Sequence, residues 1–198
     1  YFTQIRMAGE RLMNLLNNLL DLSKLEARKN AYQMEVVNIN QMVKFVVSDM
    51  EVIWKEKNLK VTIENPLIPG TIVCDKLSIQ QVFLNLLSNA IKFSSEGKSI
   101  TLSFESVKSL IGQKSKDMEM CPAIIFSVKD QGVGIPENEL KSIFDKFIQS
   151  SRTKTGAGGT GLGLAICNEI IKDHRGEIWA ENNLEGGAIF SFMLPCEQ

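Results

Sequence analysis

Apolar residues recur every seven positions at the start of the chain. Ile5, Leu12 and Leu19 form one series and Ala8, Leu15 and Leu22 a second, with Leu16 and Leu20 widening the stripe. This spacing predicts a helix over the first thirty residues. Three heptads are marginal for a free coiled coil, so the helix reads as one member of a bundle completed from elsewhere or as an N-terminal helix packed on its own domain. Beyond it the period changes. Residues 32–37 read as a strand, and Asn38 or Asn40 can cap a helix to about residue 57 with Met42, Phe45, Val46, Met50 and Ile53 on one face. Residues 59–64 alternate as a strand, Pro66, Pro69 and Gly70 break the chain, and 71–74 form a short strand. Asp75 is a good N-cap for a helix to about residue 93. Strands follow at 99–107 and 123–129, with a polar stretch between them, 108–120, read as a long hairpin loop. A helix near 137–143, a Gly/Ser/Thr-rich segment, a helix over 160–173 and two strands, 177–181 and 188–194, around Glu185-Gly186-Gly187 complete the pattern. The expected class is α+β, a mixed sheet with helices packed as two layers. A long N-terminal helix (1–30) precedes this body (31–198).

Composition narrows the function. Of 198 residues, 44% are apolar and 23% charged, which argues against disorder. The net charge of −1 supplies no electrostatic footprint for nucleic acid or an anionic membrane. No apolar run approaches the roughly 20 residues that span a bilayer. Cys74, Cys121, Cys167 and Cys196 form no C-x-x-C pair and fit neither a zinc site nor a dense disulfide framework. Reduced thiols in a cytosolic setting are therefore expected. The single histidine, His174, excludes a multi-histidine metal site within one chain.

Three polar clusters interrupt apolar elements. Asn85 and Asn89 are four residues apart and Lys92 three further on, so all three share one helix face among Val82, Phe83, Leu86, Leu87 and Ile91. Asn is a poor helix former, and two amides with an ammonium could hold a polyphosphate and its Mg²⁺. Asp130-Gln131-Gly132-Val133-Gly134-Ile135-Pro136 follows a strand. Its glycines permit close backbone approach, and Asp130 could accept a hydrogen bond from an exocyclic amine. Gly156-Ala157-Gly158-Gly159-Thr160-Gly161-Leu162-Gly163-Leu164 opens a helix, where clustered backbone N–H groups favour anions. Leu162 after Gly161 excludes a Walker A loop, and Leu164 excludes the dinucleotide fingerprint.

In this order the clusters resemble the nucleotide-binding boxes of sensor histidine kinases, in the wider family that includes gyrase, MutL and the Hsp90 chaperones. Residues 85–92 resemble the N box, 130–134 the first glycine box, Phe144-Asp145-Lys146-Phe147 the F box and 159–163 the second glycine box. The first helix, ending Leu19-Leu20-Asp21-Leu22-Ser23-Lys24-Leu25-Glu26, is similar to the second helix of the family's dimerisation hairpin.

The resemblance implies a sandwich in which helices cover one face of the mixed sheet. It implies ATP as ligand, with Asn89 on Mg²⁺, Asn85 and Lys92 near the phosphates, and Asp130 reading the adenine amine. Gly132 and Gly134 would give the base room, and Gly161 and Gly163 would present amides to the phosphates. Phe93, Ile135, Phe147, Thr160, Leu162 and Leu164 complete the implied site. Residues 150–158 would be a lid carrying Arg152 and Lys154, rooted on Phe144 and Phe147. Ile189 would stand near the base where relatives often have a hydroxyl.

The implied activity of the intact protein is that of a protein-histidine kinase. It would pass the γ-phosphoryl of Mg-ATP to a histidine and on to an aspartate of a response regulator receiver domain, as a homodimer through the first helix. The acceptor histidine is expected upstream of Tyr1, so this chain should bind ATP without labelling itself, and His174 is expected to be structural. A cytoplasmic location is implied, with membrane anchoring of the parent left open. ATP-hydrolysing relatives carry a glutamate general base at position 85, where an amide stands here. An ATPase of the same wider family is the first alternative, and a non-catalytic scaffold module the second.

Overall fold

The computed structural model describes residues 1–26, 32–66, 70–109, 121–153 and 159–197. The elements are α1 (Phe2–Glu26), β1 (Met34–Asn38), α2 (Ile39–Asp49), α3 (Glu51–Glu56), β2 (Lys60–Glu64), β3 (Thr71–Asp75), α4 (Lys76–Phe93), β4 (Ser99–Ser109), β5 (Cys121–Lys129), α5 (Gly163–Asp173), β6 (Glu177–Asn182) and β7 (Ala188–Pro195). The main sheet runs β2-β4-β5-β7-β6, with β2 parallel to β4 and the other pairs antiparallel.

Alternation along these strands sorts the sheet's two faces. Leu102, Val128 and Phe190 lie side by side in register, as do Phe104, Phe126 and Phe192. All six are buried. One residue out of phase, Ser103, Ser127 and Ser191 line up instead, with Ser127 and Ser191 hydroxyls 2.7 Å apart. One face is thus oily, and the other is mixed, with a serine row beside Ile125, Met193 and Ile189, as expected when helices cover only one side. Helices α4 and α5 pack on each other and on β5, β6 and β7, with α2 against α4. Phe83 of α4 is the knob at the centre, its ring 4.5 Å from Phe126 and 5.4 Å from Phe192.

Five expectations are corrected. The helix from Asn38 to residue 57 breaks at Met50 (φ −94°, ψ 8°), giving α2 and α3. Asn38 does cap it, its side chain accepting from the Gln41 amide, but Val43 is buried while Phe45 and Ile53 are exposed. The helix at 137–143 is replaced by two single 3₁₀ turns, Glu137–Glu139 and Ser142–Phe144. The last long helix starts at Gly163, not Thr160. Strands β1 and β3 form their own antiparallel ribbon, tied to the end of β7 by Val73 N–H donating to the Cys196 carbonyl. The polar stretch shortens, because Lys108 and Ser109 pair with Pro122 and Cys121 in β4 and β5; residues 110–120 lie outside the described part.

Candidate functional site

Helix α4 carries the first cluster. Asp75 fixes its start by accepting a hydrogen bond from the Ser78 amide at 2.9 Å. Its end is held by Lys57, whose Nζ donates to the carbonyls of Ile91, Lys92 and Ser94 at 2.7, 2.9 and 2.8 Å. A cation on the last carbonyls suits the negative end of a helix. With Val82, Phe83, Leu86, Leu87, Ala90 and Ile91 buried, Asn85, Asn89 and Lys92 come to line a cavity of about 230 Å³. Burial lowers the Lys92 pKa.

The cavity runs between α4, the turn after β5, strand β7 and the approach to α5. At one side lies Asp130, only 3% exposed. Its Oδ1 accepts from the amides of Gly132 (2.8 Å) and Ala188 (3.1 Å), and its Oδ2 takes neither bond. Burial pushes the Asp130 pKa up, against the pull of those two amides. Val133, Gly134, Ile135, Ile143, Ala188 and Phe190 give this side an apolar lining. Ala188 and Phe190 face the cavity and Ile189, one residue out of phase, does not line it, so the neighbour of the carboxylate on β7 is Ala188 rather than Ile189. At the other side stand Gly159, Thr160, Gly161, Gly163 and Leu164. Asn85 Oδ1 lies 3.3 Å from where a Gly163 Cβ would be, and Lys92 Nζ 3.2 Å from where a Gly159 Cβ would be. The start of α5 therefore faces Asn85, and the glycine run before it faces Lys92.

Three residues named from the sequence stand behind the wall rather than in it: Gly132, Phe147 and Leu162 are not among the lining residues. Gly132 bonds to Asp130, and Leu162 is fully buried in the core. Phe147 has a left-handed backbone (φ 63°) and an exposed ring, and its amide donates to the Gly161 carbonyl at 2.9 Å. Gly161 is also left-handed (φ 70°), and a Cβ there would stand 2.8 Å from the Phe147 carbonyl carbon. The F-box segment is thus seated on the glycine turn. Phe144 is buried against Phe190. Above the cavity, Gln149 Nε2 donates to the Gly159 carbonyl at 2.7 Å and Arg152 Nη1 to the Val133 carbonyl at 2.9 Å. Lys154 and the rest of the segment to residue 158 lie outside the described residues.

Sequence reading missed several parts. Asn182 brackets Ile135, accepting from its amide (2.9 Å) and donating to its carbonyl (2.7 Å). Asn183 Nδ2 donates to the Asp130 carbonyl at 3.1 Å. The pair Asn182-Asn183 at a strand end was the available signal. Asn18 of α1 lines the cavity, and Ser150 contributes a buried hydroxyl with no partner among the described residues. His174 lies outside the site. It is fully buried, with Nδ1–H donating to the Ile170 carbonyl at 2.8 Å and Nε2 accepting from the Asp75 amide at 3.0 Å.

An apolar slot with a buried acceptor at one side, and two amides, an ammonium and a helix start at the other, fits a flat base and an anionic tail. Fold and site together define a nucleotide-binding α+β module. Residues 74–198 match the family described as histidine kinase-, DNA gyrase B- and HSP90-like ATPase; the chain belongs to that family, as an ATP-binding catalytic domain of the sensor histidine kinase type. It is 32% identical over 190 residues to the sensor histidine kinase WalK of Bacillus subtilis, covering 96% of this chain and 29% of WalK. Full-length ShkA in complex with AMPPNP is similar in structure (TM-score 0.78, 27% identity, covering 98% of this chain and 38% of ShkA). So is the histidine kinase ThkA in complex with the response regulator protein TrrA (TM-score 0.73, 26% identity, 99% of this chain and 50% of ThkA). The chain thus spans under a third of the WalK relative's length.

Proposed function

We propose that the cavity holds Mg-ATP and presents its γ-phosphoryl group to a histidine, from which it passes to an aspartate on a response regulator receiver domain. The observation that carries this is the placement of Asn85, Asn89 and Lys92 against the glycine-rich start of α5, across one cavity from a buried Asp130. Asp130 Oδ2 accepts the adenine amine, Ile135 and Phe190 sandwich the base region, and Gly161 and Gly163 offer amides to the phosphates. Phe93, Thr160 and Leu164 complete the wall, while Gly132, Phe147 and Leu162 support it from behind. Residues 150–153 are the described part of the lid segment, and Ser150 and Thr153 line the cavity.

The donor set suits magnesium better than a softer metal. Among the described residues no group of three or more His, Cys, Asp or Glu could hold an ion. Asn89 offers a hard amide oxygen, and Mg²⁺ commonly takes few protein ligands and shares phosphate oxygens. When bound, the ion neutralises charge on the phosphates; the chain's own groups orient the tail through Asn85, Lys92 and the α5 amides.

Rapid hydrolysis is disfavoured. Asp130 is the one carboxylate among the described lining residues, and two amides hold it at the base side. Asn85 cannot accept a proton at working pH, so the described lining residues offer no carboxylate base at the phosphate end. We assign residues 1–30 to a dimerisation helix and 31–198 to the catalytic body. Ile5, Leu12, Leu16, Leu19 and Leu20 of α1 are exposed, which supports pairing with a second copy. No described helix is long and apolar enough to cross a membrane, and we place the catalytic body in the cytoplasm.

Incubation with γ-labelled Mg-ATP and a separately supplied acceptor hairpin tests this reading. Label should move to the hairpin histidine while inorganic phosphate release stays slow. Steady phosphate release without transfer would favour the ATPase alternative, and no nucleotide binding the scaffold alternative.

A further inference from the structure

Helix α1 reaches the nucleotide cavity. Its Leu22 is only 3% exposed and the helix packs on α5. One turn earlier, Asn18 Nδ2 donates to Thr160 Oγ1 at 3.1 Å, and both residues line the cavity. The Leu162 amide donates to the same oxygen at 3.2 Å. A hydroxyl oxygen has two lone pairs and one hydrogen. With two bonds accepted, Thr160 has only its hydrogen left to give.

We propose that Asn18 is a positioning residue for the nucleotide: by donating to Thr160 it commits that hydroxyl as a donor to a phosphate oxygen. This rests on the nucleotide reading above and adds that the docked first helix completes the phosphate end of the site. Phosphate grip and α1 docking are then linked, each strengthening the other. The neighbouring Asn17 is exposed and takes no part.

Calorimetric titration of the 198-residue chain with Mg-ATP and with adenosine tests the proposal. Asn18→Ala should weaken ATP binding about fivefold, the loss of one aligned hydrogen bond, and leave adenosine binding unchanged. Asn18→Asp should weaken ATP further, because a carboxylate draws the Thr160 hydrogen to itself and repels phosphate. In a Thr160→Val background Asn18→Ala should add nothing. Asn17→Ala should match the parent. An unchanged ATP affinity in Asn18→Ala and Asn18→Asp, an equal loss for adenosine, or a full Asn18→Ala loss on Thr160→Val would overturn it. Absence of ATP binding by the parent chain would overturn the nucleotide reading itself, and this proposal with it.

Discussion

Gly187 is pressed against Asp130. A Cβ on Gly187 would stand 2.6 Å from the carboxylate Oδ1 and 2.6 Å from the Gly132 amide nitrogen, and the Gly187 backbone is left-handed (φ 91°). The turn between β6 and β7 thus reaches across to shape the acceptor of the site. Gly187→Ala is expected to lower stability by about 1–3 kcal/mol from backbone strain and to weaken ATP binding by displacing Asp130. Urea unfolding and nucleotide titration of the variant read the two effects; a variant unchanged in both would contradict the contact.

Asp130→Asn separates the cost of the carboxylate from its use. The side-chain carbonyl of Asn can still accept from Gly132 and Ala188, and the buried charge is gone. Stability is expected to hold or rise, because burial already raises the Asp130 pKa. ATP affinity is expected to fall at least about tenfold, since a hydrogen bond to a charged acceptor contributes about 1.5–3 kcal/mol. Thermal melts with and without nucleotide measure both quantities. A variant that binds ATP like the parent would remove Asp130 from base recognition.

His174 should make the fold acid-sensitive. Its Nε2 accepts from the Asp75 amide, so a proton placed there would displace that hydrogen bond. Burial lowers its pKa, against the opposing pull of the Ile170 carbonyl and of Asp75 and Asp173. The unfolded chain, with a histidine pKa near ~6.5, then binds more protons than the folded one in the window below that value. Stability is full above about pH 6.5 and falls as pH drops through the lowered folded pKa. Urea midpoints between about pH 5 and 8 should show this slope, and His174→Gln should flatten it. A parent profile level across that range would contradict the buried neutral imidazole.

Local signals in the sequence carried much of this structure. The heptads of α1, the Asp75 cap of α4 and the alternation of residues 59–64 around β2 depend on near neighbours, so they can be read along the chain. The three clusters of the site were legible for the same reason, since each is a short run on one helix face or turn. The break at Met50 was not, because burying Val43 in place of Phe45 depends on what α4 presents to α2. The segment at 137–143 has helical composition, yet its backbone bends to seat Phe144 on Phe190. Asn182 and Asn18 act on partners 47 and 142 residues away, a relation no local pattern encodes.

The most direct test is a calorimetric titration of the chain with ATP, in magnesium and in chelator, for the parent and for Asn89→Ala. The parent should bind ATP more tightly with magnesium present, and Asn89→Ala should lose that metal-dependent gain while staying folded. No heat of binding and no shift in melting temperature at saturating Mg-ATP would contradict a magnesium-nucleotide site in this cavity.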